Sequence, residues 1–227
     1  MKDFEQFSSS LYLHGLKRES DSAAESLNQK TFIIFGVPRG GTTMVARVAE
    51  RLGVEMGKNL PSNYEDDEFN FDKMSDTLKG DSTVMARALM RAIKRRDARY
   101  DVWGWKYPRA HLYLPLIIKQ VRNPQLICVF RDPVASSLRP LSRRRVQREG
   151  KAQLPTRVMK QHLGWQMNNI ELIHKLNLPT FLCSYEKAVL GPTAFVEDLS
   201  KFIGLRRDER SVVDAVEQIR PGGYIQA

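Results

Sequence analysis

Gly36, Gly41 and Thr43 in the stretch TFIIFGVPRGGTT (31–43) stand at the spacing by which a glycine loop wraps a phosphate. In loops that hold ATP or GTP, a lysine precedes the final Ser/Thr and reaches the β- and γ-phosphates. Here Thr42 occupies that position and the positive charge sits further back, on Arg39. Gly36, Gly40 and Gly41 let the backbone close around an anion, and the amides of a following helix point at it. Thr42 and Thr43 add hydroxyl donors. A second basic segment, ICVFRDPVASSLRP, brings Arg131 to the end of an apolar run. Arginine engages phosphate bidentately, and Ser136 or Ser137 can donate from the helical turns that follow. A third segment, NYEDDEFNFD (63–72), sets Glu65, Asp66, Asp67 and Glu68 in a row within a strongly basic chain.

A loop without its lysine suits a single phosphate carrying a less charged group. A 5′-phosphosulfate meets that description, and its transfer requires no metal in principle. Two anion segments on one chain imply two separate phosphates on one ligand. Sulfuryl transfer is an in-line displacement in which positioning and charge stabilisation do most of the work. Arg39 and Thr42 are the first candidates for stabilising charge on the leaving oxygen. Lys106, at the end of DVWGWKY, is a candidate for the transferring group.

These segments need elements to hold them. Residues 31–36 and 125–131 are continuous apolar runs that read as buried strands, as do 101–107 and 179–185. Helical periodicity covers 42–53, 82–98 and 156–176, where Met159, Leu163, Met167, Ile170 and Ile173 share one face, with Met and Trp read as core. Further helices are expected in 111–121, from Pro133, and near 193–203 and 208–219. Strands alternating with helices define an α/β fold with a mostly parallel central sheet flanked by helices. In such sheets ligands bind beyond the carboxyl ends of the strands, which selects residues 36, 107 and 131. Residues 1–29 are polar and Ser-rich, expected as a loosely ordered arm or short helix before one domain spanning 30–227.

The 227 residues carry 36 Lys and Arg against 26 Asp and Glu, a net charge of +10 that calls for an anionic partner. The basic runs at 94–96 and 143–148 read as solvated helix faces or as part of that partner's site. The two cysteines lie in apolar runs and the four histidines are scattered, so neither set has metal-ligand spacing. No apolar run is long enough to span a bilayer and the start of the chain is too polar for a secretory signal. A cytoplasmic location is the expectation.

GVPRGGTT and FRDPVASS resemble the 5′-phosphosulfate loop and 3′-phosphate site of the sulfotransferases that use 3′-phosphoadenosine-5′-phosphosulfate (PAPS). The similarity extends to WGWKYPR (103–109) and SYEKAVLGPTAFVEDLSKFIGL (184–205), in the same order along the chain. The resemblance implies a P-loop NTPase-like sulfotransferase fold, PAPS as donor, adenosine 3′,5′-bisphosphate (PAP) as product, and no metal. By position, Arg39, Gly40, Gly41, Thr42 and Thr43 would hold the phosphosulfate and Arg131 the 3′-phosphate. Where the family usually offers a serine, this chain has Arg139, so Ser136, Ser137 or Arg139 completes that site. Tyr185 matches a tyrosine near the adenine, and the RPGGY tail is a candidate cover for the nucleotide. Some members use a histidine after the strand at 101–107, which is absent here; others place a carboxylate in the loop after the first helix. Glu65 is the expected base, with Asp66 second. The acceptor would be a hydroxyl on a carbohydrate, glycolipid or small metabolite.

Two other readings compete. A divergent P-loop kinase or NTPase would need a lysine near the loop and an acidic magnesium ligand, for which only Asp132 offers itself. A basic nucleic-acid-binding module would need stacking aromatics or a docking motif, and neither is visible.

Overall fold

The computed structural model describes residues 4–15, 28–77, 81–138, 154–205 and 208–220. Its strands are β1 (Phe4–Gln6), β2 (Ser10–Leu13), β3 (Lys30–Phe35), β4 (Val102–Lys106), β5 (Pro124–Phe130) and β6 (Thr180–Ser184). They form one six-stranded sheet in the order β1-β2-β6-β5-β3-β4. β3 pairs in parallel with β4 and β5, and β5 with β6, while β2 joins β6 antiparallel. The chain runs from β3 to β4 on one side and returns to β5 on the other. The crevice beyond the carboxyl ends of β3 and β5 is therefore a topological switch point.

The helices are α1 (Thr42–Arg51), α2 (Phe71–Thr77), α3 (Ser82–Asp97), α4 (Leu114–Ile117), α5 (Pro133–Leu138), α6 (Leu154–Leu176), α7 (Tyr185–Leu190), α8 (Pro192–Ile203) and α9 (Glu209–Val216). They cover both faces of the sheet, and β3 shows why its apolar run is continuous. Phe32 and Ile34 pack with residues of α1, α7 and α8. Ile33 and Phe35 point the other way, onto Trp103, Trp105 and residues of α3 and α6. All four are fully buried, each worth about 1.5–3 kcal/mol of transfer free energy.

Residues 4–13 depart from the expected loose arm or short helix. β1 and β2 form a hairpin that extends the sheet. A tertiary contact anchors it: the hydroxyls of Ser8, Ser9 and Ser10 lie 3.1, 3.1 and 3.4 Å from the Asp198 Oδ2 that accepts them. A serine run that reads as solvated thus satisfies a buried carboxylate. Helix α6 also differs. Leu163, Met167 and Ile170 are exposed, whereas Val158, His162, Asn169, Leu172 and Ile173 face inward. Two polar anchors set this rotation. Asn169 donates to the Gly36 carbonyl at 2.8 Å, and His162 Nδ1 lies 2.8 Å from the Ser136 hydroxyl. The short α2 and α7 were not anticipated. Among the described residues, no helix is long and apolar enough to cross a membrane.

Candidate active site

The loop from Gly36 to Gly41 leaves β3 and enters α1 directly. Arg39 adopts φ 65° and Gly41 φ 94°, both left-handed. For arginine this costs about 1–2 kcal/mol, and the surroundings hold it there. The Arg39 carbonyl accepts from Arg131 Nη1 at 2.6 Å, while the Gly40 amide donates to the Val37 carbonyl at 2.8 Å. A Cβ on Gly41 would sit 2.1 Å from Tyr185 Cδ2, so only glycine admits the tyrosine ring there. At the start of α1 the Met44 amide donates to the Gly41 carbonyl at 3.0 Å, the Thr42 and Thr43 amides have no partner within the helix, and the Arg39 side chain is exposed.

Arg131 follows β5 and is 2% exposed. Its guanidinium lies 4.1 Å over the Tyr185 ring, with Nε 3.9 Å from Glu186 Oε1. Tyr185 therefore bridges the two segments expected to bind anions, touching Gly41 on one and Arg131 on the other. Ser136 and Ser137 are buried, and their hydroxyls donate to the Pro133 and Val134 carbonyls at 3.2 and 2.9 Å. Arg139 lies outside the described residues, as does the tail from Pro221 onward and the basic run at 143–148.

A cavity of about 960 Å³ opens over the loop. Arg39, Gly41, Thr42, Thr43, Glu65, Lys106 and Tyr185 line it, as do Arg47, Asp72, Arg109 and Trp165. Arg131, Ser136 and Ser137 are not among its lining residues; Arg131 lies against the Tyr185 ring, which is. Trp165, expected as core, instead lines the cavity one helical turn from Asn169. Its placement follows from the polar anchoring of α6, a signal that apolar periodicity hides.

Lys106 ends β4 and is 2% exposed. Its ammonium donates to Glu65 Oε1 at 2.8 Å and to the Asn63 carbonyl at 2.9 Å. Burial pulls the Lys106 pKa below the ordinary lysine value, and the Glu65 carboxylate opposes that shift. The Thr43 hydroxyl donates to the same Asn63 carbonyl at 3.1 Å. One carbonyl thus joins the start of α1, the acidic loop and the end of β4. The Thr43 hydroxyl is occupied there.

Asp66, the second candidate for the base, is held elsewhere. Its Oδ2 pairs with Arg96 and its Oδ1 accepts from the Glu68 amide at 2.9 Å. Arg96 in turn lies over Phe69 and Trp103, at 5.1 and 5.5 Å. Asp66 does not line the cavity, so it fixes the acidic loop, and of the two residues only Glu65 reaches the site. Asp67 and Glu68 pair with Lys73 and Arg95 on the exterior.

The mostly parallel sheet, the glycine loop entering α1 and the basic corner after β5 define an α/β architecture with both segments at one edge of the sheet. No family model matches the sequence, and no curated protein matches it. Solved structures do. The sulfotransferase domain of the Synechococcus PCC 7002 olefin synthase matches 88% of this chain and 83% of its own, at 14% identity and a TM-score of 0.53. Mouse sulfotransferase SULT7A1, crystallised with PAP, matches 96% and 76%, at 12% identity and a TM-score of 0.52. Sulfotransferase STF9 from Mycobacterium avium matches 83% and 67%, at 12% identity and a TM-score of 0.50. The chain has the sulfotransferase fold.

Proposed function

We propose that this protein is a sulfotransferase that moves a sulfuryl group from PAPS to an acceptor hydroxyl. The observation that carries the reading is the 2.6 Å hydrogen bond from Arg131 to the Arg39 carbonyl. It brings the two anion-binding segments to one sheet edge, close enough for one nucleotide with phosphates at both ends of its ribose. The PAP bound to mouse SULT7A1 supports the same choice of ligand class.

The residues present fit such a donor. The loop backbone at Gly40 and Gly41, the amides of Thr42 and Thr43 and the Arg39 guanidinium would hold the 5′-phosphosulfate. Arg131, with Ser136 or Ser137, would hold the 3′-phosphate, and Tyr185 would lie against the nucleoside. PAPS supplies an activated sulfuryl group whose leaving group is a phosphate oxygen. Glu65 would take the proton as the acceptor oxygen forms its bond to sulfur. The bond from sulfur to the phosphate oxygen breaks, and its electron pair remains on that oxygen. Arg39 and the α1 amides would stabilise the charge left there. Lys106, already beside Glu65, would steady the transferring group.

Asp132, the metal ligand the kinase reading would need, accepts at Oδ1 from the Ala135 amide at 2.8 Å and caps α5. Incubation with labelled PAPS and a panel of hydroxyl acceptors, with products identified by mass, tests the proposal. Transfer of one sulfuryl group to a hydroxyl is the expected result. Phosphate transfer from Mg-ATP without any sulfation would overturn it.

A further inference from the structure

The acceptor side of the cavity holds a second charged cluster beside the Lys106–Glu65 pair. Asp72, in the first turn of α2, meets Tyr107 and Arg109, which follow β4. The Tyr107 hydroxyl donates to Asp72 Oδ2 at 3.0 Å, and Arg109 Nη2 donates to the same oxygen. Arg109 Nη2 also lies 3.3 Å from the Tyr107 oxygen. Both donors fall on Oδ2, so Oδ1 keeps its capacity to accept, and the Asp72 side chain is 60% exposed. Burial raises the Tyr107 pKa, so its hydroxyl remains a donor near neutral pH.

Asn70 ties this cluster to the expected base. Its Nδ2 lies 3.4 Å from Glu65 Oε2, and its Oδ1 accepts from the Asp72 amide at 3.1 Å. Asn70 thus links the Glu65 carboxylate to the backbone of Asp72, and both carboxylates line the one cavity.

Resting on the sulfotransferase reading, we infer that Asp72 and Arg109 form an acceptor subsite for polyhydroxylated substrates, binding hydroxyls adjacent to the one that is sulfated. A sugar hydroxyl both donates and accepts. Asp72 Oδ1 accepts from one hydroxyl while the Arg109 fork donates to it or to its neighbour. The wall contributed by Ser62, Asn63, Glu65, Asp72, Lys106 and Arg109 is polar throughout. An apolar monohydric alcohol seated there would cover Asp72 Oδ1 without offering it a donor, which sites built for hydrogen bonding reject.

The full chain, PAPS and two sets of acceptors test this. One set is the methyl glycosides of glucose, galactose, mannose and N-acetylglucosamine with their monodeoxy analogues; the other is cyclohexanol and p-nitrophenol. At least one glycoside should be sulfated with kcat/KM roughly a hundredfold or more above either simple alcohol. Asp72→Asn and Arg109→Gln should each raise the glycoside KM about tenfold with kcat held and PAP stabilisation unchanged. Loss of the neighbouring hydroxyl should weaken the wild-type protein and leave Asp72→Asn indifferent. Preference for cyclohexanol or p-nitrophenol, sulfation of no glycoside, or an unmoved KM in both variants would overturn the subsite. Failure of PAP to stabilise the wild-type fold would instead overturn the donor reading beneath it.

Discussion

Lys106 Nζ lies 2.8 Å from Glu65 Oε1, and the two partners are unequal in burial. The lysine side chain is 2% exposed and the glutamate 21%. Removing the glutamate strands a buried cation, whereas removing the lysine leaves a carboxylate with access to water. Glu65→Ala should therefore destabilise the fold by about 2–3 kcal/mol, below the full penalty for a sealed pair. Lys106→Met should cost less, within about 1 kcal/mol. Urea denaturation of the two variants checks the order, and the reverse order would contradict this account of the pair.

Glu65 is also the base of the proposed reaction. Glu65→Gln keeps the size and one acceptor oxygen for Lys106 while removing the base. Turnover should fall by roughly 10² or more, with PAP binding retained by calorimetry. Asp66→Asn should instead lower the melting temperature through its lost partner Arg96, with turnover per folded molecule nearly unchanged.

The lowered Lys106 pKa gives stability a pH dependence with a definite sign. Between the folded pKa and the ordinary value of 10.5, the unfolded chain keeps a proton that the folded chain has released. Unfolding then takes up protons, so this residue's contribution to stability rises with pH across that window. Below it, both states are charged and the cost of burying the ammonium is present in full. The stability of wild type relative to Lys106→Met should therefore climb on approach to pH 10.5, as read by denaturation at stepped pH.

Gly41 and Tyr185 make a steric prediction. The alanine Cβ in Gly41→Ala would meet the Tyr185 ring at 2.1 Å and would require φ 94° of a non-glycine residue. A loss of at least about 1–3 kcal/mol follows, together with loss of nucleotide-induced stabilisation. Combining it with Tyr185→Ala should relieve the clash but leave the backbone strain. Recovery in the double variant should accordingly be partial in thermal melts.

The parts legible in the sequence were those set by local pattern. The apolar runs of β3 and β5, the glycine spacing after Phe35 and the proline opening α5 each state their own structure. What stayed hidden depends on contacts distant in the chain. Nothing local says that Ser8 to Ser10 will meet Asp198, so the N-terminal hairpin read as an arm. Glu65 and Asp66 are adjacent and chemically alike. Arg96, thirty residues on, takes Asp66 and leaves Glu65 facing the cavity. The apolar stripe of α6 pointed to a buried face, yet with Asn169 and His162 anchored inward, Leu163, Met167 and Ile170 turn outward and Trp165 reaches the cavity. Tyr107 and Arg109 lie in WGWKYPR and Asp72 ends NYEDDEFNFD, but neither segment says that the two meet; the return of the acidic loop over the end of β4 assembles them.

The central proposal is that the loop at Arg39 and the corner at Arg131 together bind one nucleotide with phosphates at both its 3′ and 5′ positions. Thermal melting of the wild type and of Arg131→Met, each with PAP, 5′-AMP and Mg-ATP, tests it most directly. PAP at a hundredfold over its Kd should stabilise the wild type by about 2.7 kcal/mol. It should exceed 5′-AMP, and the advantage should vanish in Arg131→Met. A wild-type melt unmoved by PAP and shifted by Mg-ATP, or a PAP effect indifferent to Arg131, would contradict the account.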